Sequence, residues 1–274
     1  MSQPDAPVSM TGYPRIAVIT GADSGIGKAT AVTLAERGFD VGVTFHSDEE
    51  GAKGTAEEVR AQGRNCAVRR HDLTDPVAAA RVVDELADEL GGVGVLINNA
   101  GTGSSRPVLE MEYDEWRSVL AVDLDGAFLC AQRAARHMVE QGGGGRIVNV
   151  TSVHEEYPRV GSGPYCAAKG GLRMLARVLA LELSAYGITV NTVAPGEIAT
   201  PMTGQEDQPP QPGSRPGYPL GRPGHAWEVA AAIAFLADPS ASYVSGASLF
   251  VDGALGLMGP QAAGALKSAD WREG

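Results

Sequence analysis

The chain has 274 residues, 43% of them hydrophobic, and carries 22 Lys plus Arg against 33 Asp plus Glu, a net charge of −11. That length and apolar content suit a single α/β core and exclude disorder as the default. The acidic balance argues against nucleic acid or an anionic membrane as the main partner, because phosphate contacts need clustered Lys and Arg.

Residues 1–12 are polar, contain Pro4 and Pro7 and lack an apolar signal core. They read as a flexible leader, with Met10 as an alternative start, ahead of a domain over 13–258 and a tail over 259–274. Runs rich in β-branched residues at Arg15–Thr20, Asp40–Phe45, Cys66–Arg70, Val93–Asn98, Arg146–Thr151, Thr189–Val193 and Ser248–Val251 predict strands. Their polarity does not alternate, as expected where both faces of a parallel sheet are covered. Helical periodicity marks Ile26–Arg37, Glu49–Gln62, Pro76–Leu90, Tyr113–Gln141, Tyr165–Tyr186 and Ala226–Ala237. The repeated β–α order predicts a doubly wound parallel sheet in one domain, with helices on both faces. No apolar run nears the roughly 20 residues needed to span a bilayer. The cysteines Cys66, Cys130 and Cys166 fit neither a disulfide framework nor a metal site, which points to a reducing cytoplasm. Gly142–Gly145 reads as a helix stop and turn. Residues 203–224, rich in Pro, Gly and Gln, lack periodicity and follow the sixth strand, so they read as a substrate loop rather than a linker.

The first strand runs into Thr20-Gly21-Ala22-Asp23-Ser24-Gly25-Ile26-Gly27 and then a helix. Glycines there let the backbone approach a pyrophosphate at a helix N-terminus, although a tight turn alone would use them too. The G-x-x-x-G-x-G spacing after Thr20 resembles the nucleotide loop of the short-chain dehydrogenase/reductase family. The resemblance continues through Asn98-Asn99-Ala100-Gly101, Ser152, Tyr165-Cys166-Ala167-Ala168-Lys169 and Pro195-Gly196, spanning roughly Arg15 to Gly256. It implies a Rossmann-type, NAD(P)(H)-dependent oxidoreductase acting on a small carbonyl or alcohol, assembled as a homotetramer. It also implies cofactor contacts at Gly21, Asp23, Ser24, Gly25, Ile26, Gly27, Asn99, Ala100, Gly101, Tyr165, Lys169, Pro195 and Gly196. Asp72 and Leu73 would meet the adenine, and Ile198 and Thr200 the nicotinamide carboxamide.

Tyr165 and Lys169 lie four apart, on one helix face, and Ser152 ends a strand where open α/β sheets bind ligands. Carbonyl reduction needs a proton donor beside the hydride acceptor, and a free phenol, with a pKa of about 10, needs a nearby cation to serve at neutral pH. In the resembling family Tyr is the acid/base, Ser orients the carbonyl, and Lys binds the nicotinamide ribose and supports the tyrosinate. The chain departs from that pattern at Asp123, in Ala121-Val122-Asp123-Leu124, where the family usually has Asn in a proton relay. A carboxylate accepts hydrogen bonds and cannot donate as Asn does. The substitution is tolerated if the backbone carbonyl carries the role, and otherwise predicts an altered relay or pH profile.

The second strand ends at Phe45-His46-Ser47 with no acid before Asp48. NAD-preferring relatives place an acid there on the ribose, so NADP(H) is preferred here over NAD(H), with His46 and Ser47 at the ribose phosphate; a plain surface histidine is the alternative. Ser152-Val153-His154-Glu155 and the stretch 241–253 resemble the glucose 1-dehydrogenase branch and also 3-oxoacyl-acyl-carrier-protein and diketone reductases. His154, beside Ser152, is an even choice between a substrate contact and surface. Glu197 either narrows the pocket or meets a polar substrate. Docking an acidic carrier protein would need a basic patch, for instance at Arg133 and Arg136, which the net charge disfavours. A ketone or diketone reductase therefore leads, with sugar oxidation or keto-acyl reduction as alternatives. A nucleotide-binding sensor without turnover is the reading from another class.

Overall fold

The β-branched runs form one twisted parallel sheet in the computed structural model, which describes residues 12–205 and 210–266. Most of the leader, residues 206–209 of the loop and residues 267–274 of the tail lie outside the described residues. The chain forms β1 (Ile16–Ile19), α1 (Gly25–Glu36), β2 (Asp40–Phe45), α2 (Glu49–Ala61) and β3 (Cys66–Arg70). It continues with α3 (Pro76–Ala79), α4 (Arg81–Leu90), β4 (Val95–Asn98), α5 (Tyr113–Leu120), α6 (Gly126–Gln141) and β5 (Gly145–Val150). Next come α7 (Gly163–Glu182), β6 (Ile188–Pro195), the two-residue strands β7 (Ile198–Ala199) and β8 (Gly224–His225), α8 (Ala226–Ala237), β9 (Ser248–Val251) and α9 (Pro260–Ala265). The seven-stranded sheet has the order β3-β2-β1-β4-β5-β6-β9, with every pair parallel.

This order places the topological switch between β1 and β4, and the crevice at their carboxyl ends is where such sheets bind ligands. One face is covered by α1, α2 and α8, whose Ala31, Leu34, Val59, Val229 and Ile233 pack with Ile19, Val43 and Ile97. The other is covered by α4, α6 and α7, through Leu86, Ala134, Met138 and Ala176 against Val18, Leu96 and Ile147. Many of the covering residues are alanines, which let the helix axes lie close to the sheet. β4, β5 and β6 are buried along their whole length. That burial explains why their pattern does not alternate, even though Arg146, Asn149 and Asn191 are buried among the apolar residues. Among the described residues, no helix is long and apolar enough to cross a membrane.

The differences from expectation are local. The helix expected over Tyr113–Gln141 is interrupted by a π-helical turn at Ala121–Asp125. The one expected over Pro76–Leu90 is split after Ala79, and α7 starts two residues early, at Gly163. Gly142, Gly143 and Gly144 all have positive φ, from 71° to 84°, and end α6 abruptly. Gly145 already belongs to β5, and a Cβ there would meet Met138 Sδ at 2.4 Å. The tail begins with the short helix α9, which carries no sequence signal.

Candidate active site

The glycine turn between β1 and α1 is held from below. Thr20 Oγ1 accepts from the backbone N–H groups of Asn99 and Ala100, each at 2.9 Å. The Asn99 amide returns hydrogen bonds to Thr20 O at 3.0 Å and Gly21 O at 2.7 Å, so its side chain fixes the turn rather than facing outward. Gly21 and Gly25 take φ of +62° and +53°, the left-handed region that favours glycine. A Cβ on Gly27 would lie 2.1 Å from Gly21 O. The turn leaves the N-terminus of α1 bare: Ser24 makes no side-chain cap and no acid stands in the first turn. Such an end presents unpaired N–H groups and a partial positive charge to an anion. The cradle therefore fits the pyrophosphate of a dinucleotide. Asp23 stands beside it, its carboxyl pushed up by burial, with Ser24 Oγ at 3.4 Å. Ile26 packs its side chain on the core. Two residues without a sequence signal for this role brace the turn further. Gly21 N donates to Thr44 Oγ1 at 3.2 Å, and Thr44 Oγ1 lies 3.2 Å from Nδ1 of buried His71.

Across the crevice, Lys169 and Asp123 meet beside Gly101, with Tyr165 on the same helix as Lys169 and Ser152 just after β5. Ser152 follows β5, is buried, and accepts the His154 N–H on Oγ at 3.2 Å. Tyr165 and Lys169 lie in the first two turns of α7, with the ammonium 5.5 Å from the phenol ring centroid. Lys169 Nζ donates to Val150 O at 3.2 Å and lies 3.2 Å from Asp123 Oδ2. Asp123 Oδ1 accepts from Thr102 N at 2.7 Å. The π-helical turn adds a residue to the helical ring, and it is this turn that carries Asp123 into the crevice. A Cβ on Gly101 would meet both Lys169 Nζ, at 3.3 Å, and Asp123 Oδ2, at 3.4 Å, so glycine leaves room for the pair. Burial works against the Lys169 ammonium, but Asp123, together with Tyr165 and Glu155, holds its pKa above the ordinary range. Burial pushes Asp123 up as well, opposed by Lys169 and the Thr102 N–H. Asp123 therefore faces the corner, not water.

The third side comes from the segments after β6 and β9. Gly196 passes so close to β9 that a Cβ would sit 2.9 Å from Asp252 Cα, and Pro195 ends β6 fully buried. Thr200 lies against the glycine turn, 3.2 Å from where a Gly25 Cβ would be. Ile198 is buried beside it. Glu197 is occupied by its own loop: Oε1 accepts from Gln205 Nε2 at 2.8 Å and from Arg215 Nε at 2.8 Å. The arginine and glutamine bonds, set against partial burial, hold its carboxyl below the ordinary range. Glu197, expected either to narrow the pocket or to meet a polar substrate, ties Arg215 to the end of β6.

At the outer end, His46 and Ser47 are exposed after β2, and His46 Nε2 lies 3.5 Å from Asp72 Oδ1. Leu73 buries its side chain under Gly126. Arg70, which sequence reasoning misses, donates from Nε to His46 O at 3.2 Å. The signal lies in strand pairing: Phe45 is registered with Arg70 across β2 and β3. Phe45, His46, Ser47 and Arg70 border an open depression of about 610 Å³ that also includes Glu49, Lys53 and Arg69. Arg133, half of the basic patch that carrier docking would need, is paired with Asp84, and His137 Nε2 lies 3.0 Å from the same carboxylate.

Known proteins are similar to this chain in sequence and in fold. A family described as enoyl-(acyl carrier protein) reductase matches residues 21–255. The oxidoreductase YohF of Escherichia coli (strain K12) is 49% identical over 247 residues, covering 90% of this chain and 98% of the relative. The acetoin dehydrogenase YohF of Salmonella typhimurium superposes with a TM-score of 0.87 at 47% identity, covering 91% of this chain and 98% of that one. The acetoin dehydrogenase of Enterobacter cloacae gives a TM-score of 0.86 at 51% identity, covering 90% and 97%.

Proposed function

This chain belongs to the short-chain dehydrogenase/reductase family of oxidoreductases, and we propose that it interconverts a small ketone or diketone and its alcohol with NADP(H) in preference to NAD(H). The observation that carries the reading is the buried Lys169 ammonium, fixed between Asp123 and Val150 O one helical turn from Tyr165. The bound nicotinamide supplies or takes the hydride. Tyr165 gives its phenolic proton to the carbonyl oxygen as it becomes an alcohol and takes it back in reverse. Lys169 favours the tyrosinate through its charge, and Asp123 is the positioning residue that holds Lys169 in place. Because Ser152 Oγ already accepts from His154 N, its own hydrogen is free to bond the substrate oxygen.

The preference for NADP(H) rests on the absence of an acid at His46–Ser47 and on Arg70 beside them, a cation suited to a ribose phosphate. The same proposal includes a homotetramer, supported by Met174 and Leu181, which stand exposed on α7 at 56% and 79%. The three unpaired cysteines agree with a reducing cytoplasm. Pairing of Arg133 with Asp84 removes part of the surface that an acidic carrier protein would need.

NADPH oxidation by wild type and Tyr165→Phe tests the proposal, with butane-2,3-dione and 3-hydroxybutan-2-one as substrates and glucose oxidation as a separate arm. The expected result is reduction by wild type, a loss of about 100-fold or more in kcat for the variant, and NADPH binding retained in both by fluorescence. Equal turnover by the variant would remove Tyr165 from the chemistry, glucose oxidation alone would favour the sugar reading, and binding without turnover in wild type would favour a sensor.

A further inference from the structure

We infer that His154 selects the substrate by accepting a hydrogen bond from a hydroxyl on the carbon next to the reacting carbonyl. This inference rests on the carbonyl–alcohol reading above and adds the substrate class: a vicinal hydroxyketone and its diol.

The case begins with the turn that follows β5. Val153–Glu155 form a single 3-10 turn that begins at Ser152, with the His154 N–H on Ser152 Oγ. The turn is held from behind by Glu155, whose side chain is fully buried. Glu155 Oε1 accepts from Ser248 Oγ of β9 and lies 3.3 Å from Arg173 Nε of α7. A backbone tied to two elements at once gives His154 one place to stand. The side chain is fixed in turn. His154 Nδ1 lies 2.8 Å from Tyr157 O. A carbonyl oxygen only accepts, so Nδ1 carries a hydrogen, and in the neutral ring Nε2 is then a lone-pair acceptor. Among the described residues, Nε2 has no hydrogen-bond partner of its own. The ring stands edge-on to Tyr165, with centroids 6.3 Å apart and planes at 71°, and is partly exposed. A small molecule on the Tyr165 hydroxyl would lie beside this ring.

The polarity of these groups then decides the substrate. Ser152 and Tyr165 present hydrogens, which match the reacting carbonyl oxygen. His154 presents a lone pair, which matches a neighbouring hydroxyl. During reduction the new C–H bond takes the hydride, the carbonyl π pair moves onto oxygen, and that oxygen takes the Tyr165 proton. The neighbouring hydroxyl keeps its own proton throughout and serves only as a handle. A site that leaves its polar group unpaired with the wrong substrate discriminates far more strongly than an apolar pocket does.

The test compares kcat/KM for 3-hydroxybutan-2-one and butan-2-one in wild type, His154→Asn and His154→Gln. Asn keeps a donor for Tyr157 O but lacks the outer acceptor, whereas Gln restores a polar group near the Nε2 position. Wild type should prefer the hydroxyketone by at least about tenfold. That ratio should fall about tenfold in His154→Asn and recover in part in His154→Gln. A wild type that reduces both ketones equally, or an Asn variant that slows both by one factor, overturns the inference and leaves the reductase reading standing. A wild type that binds NADPH and reduces neither ketone overturns both.

Discussion

Helices α1 and α8 lie side by side over the same face of the sheet, yet their N-termini are finished in opposite ways. α1 begins with Ser24-Gly25-Ile26-Gly27, without a side-chain cap and without an acid in its first turn. α8 is closed by a capping box in which Glu228 accepts from the His225 N–H at 2.8 Å. The same carboxylate is clasped by both terminal nitrogens of Arg222, at 2.8 Å each. α2 is closed too, by the Asp48 carboxylate on Gly51 N and by Glu49 and Glu50 in its first turn. A helix whose only task is structural satisfies its first N–H groups internally. Of these three ends, the one left open is the one at the ligand crevice, where an incoming anion would complete it.

The harshest way to break this contrast is to fill the space beneath the open end. Gly27→Ala puts a Cβ 2.1 Å from Gly21 O and 2.6 Å from Asn99 Nδ2, neither of which can yield without moving the turn. Overpacking of this kind costs about 1–3 kcal/mol. NADPH affinity, measured by fluorescence titration, should fall by up to about 100-fold; an unchanged affinity would mean that the turn is not the cofactor cradle.

A subtler substitution makes α1 resemble α2. Ser24→Asp supplies the acidic cap that the helix lacks, worth about 0.5–1 kcal/mol to the helix. It also puts a carboxylate where the pyrophosphate charge belongs. The two effects carry opposite signs: the melting temperature should hold or rise while NADPH binding weakens about tenfold, consistent with about 1.4 kcal/mol of repulsion. A loss of both would show that the open end serves stability instead.

Only half of this contrast is legible in the sequence. The strands are readable because they are β-branched runs whose polarity does not alternate, and the glycine turn because its spacing sits between a strand and a helix. Ser152, Tyr165 and Lys169 stand out through the resemblance to the dehydrogenase family, helped by the four-residue spacing that puts Tyr165 and Lys169 on one helix face. The π-helical turn at Ala121–Asp125 is not, since one added residue in the helical ring changes facing without changing composition. The partner that Asp123 takes is therefore hidden, although its apolar neighbours already argue that it is buried. Arg70 escapes notice because its place beside His46 depends on the register between β2 and β3. The tie from Glu197 to Arg215 is hidden because Arg215 lies 18 residues on, in a segment with no periodicity. Contacts set by tertiary register leave no local trace in sequence.

The closed end of α8 offers the finest test of the comparison, through acid. Arg222 first, and then the His225 N–H, hold the Glu228 carboxyl at about 2, against a usual value of 4.5. A carboxyl whose folded value is depressed stabilises the fold above its unfolded value, and loses that contribution as pH falls from about 4.5 through about 2. The pair is about a quarter exposed. Solvent screening therefore keeps the effect near 1 kcal/mol. Thermal melts of wild type and Glu228→Gln should differ at pH 7 and converge as the pH drops through that window. NADPH affinity should be the same in both, because this carboxylate closes a helix that no ligand completes. Parallel melting curves down to pH 2 would mean that Arg222 and Glu228 hold the loop without stabilising the helix. The opposition between a helix end closed by the chain and one left for a ligand would then rest on α1 and α2 alone.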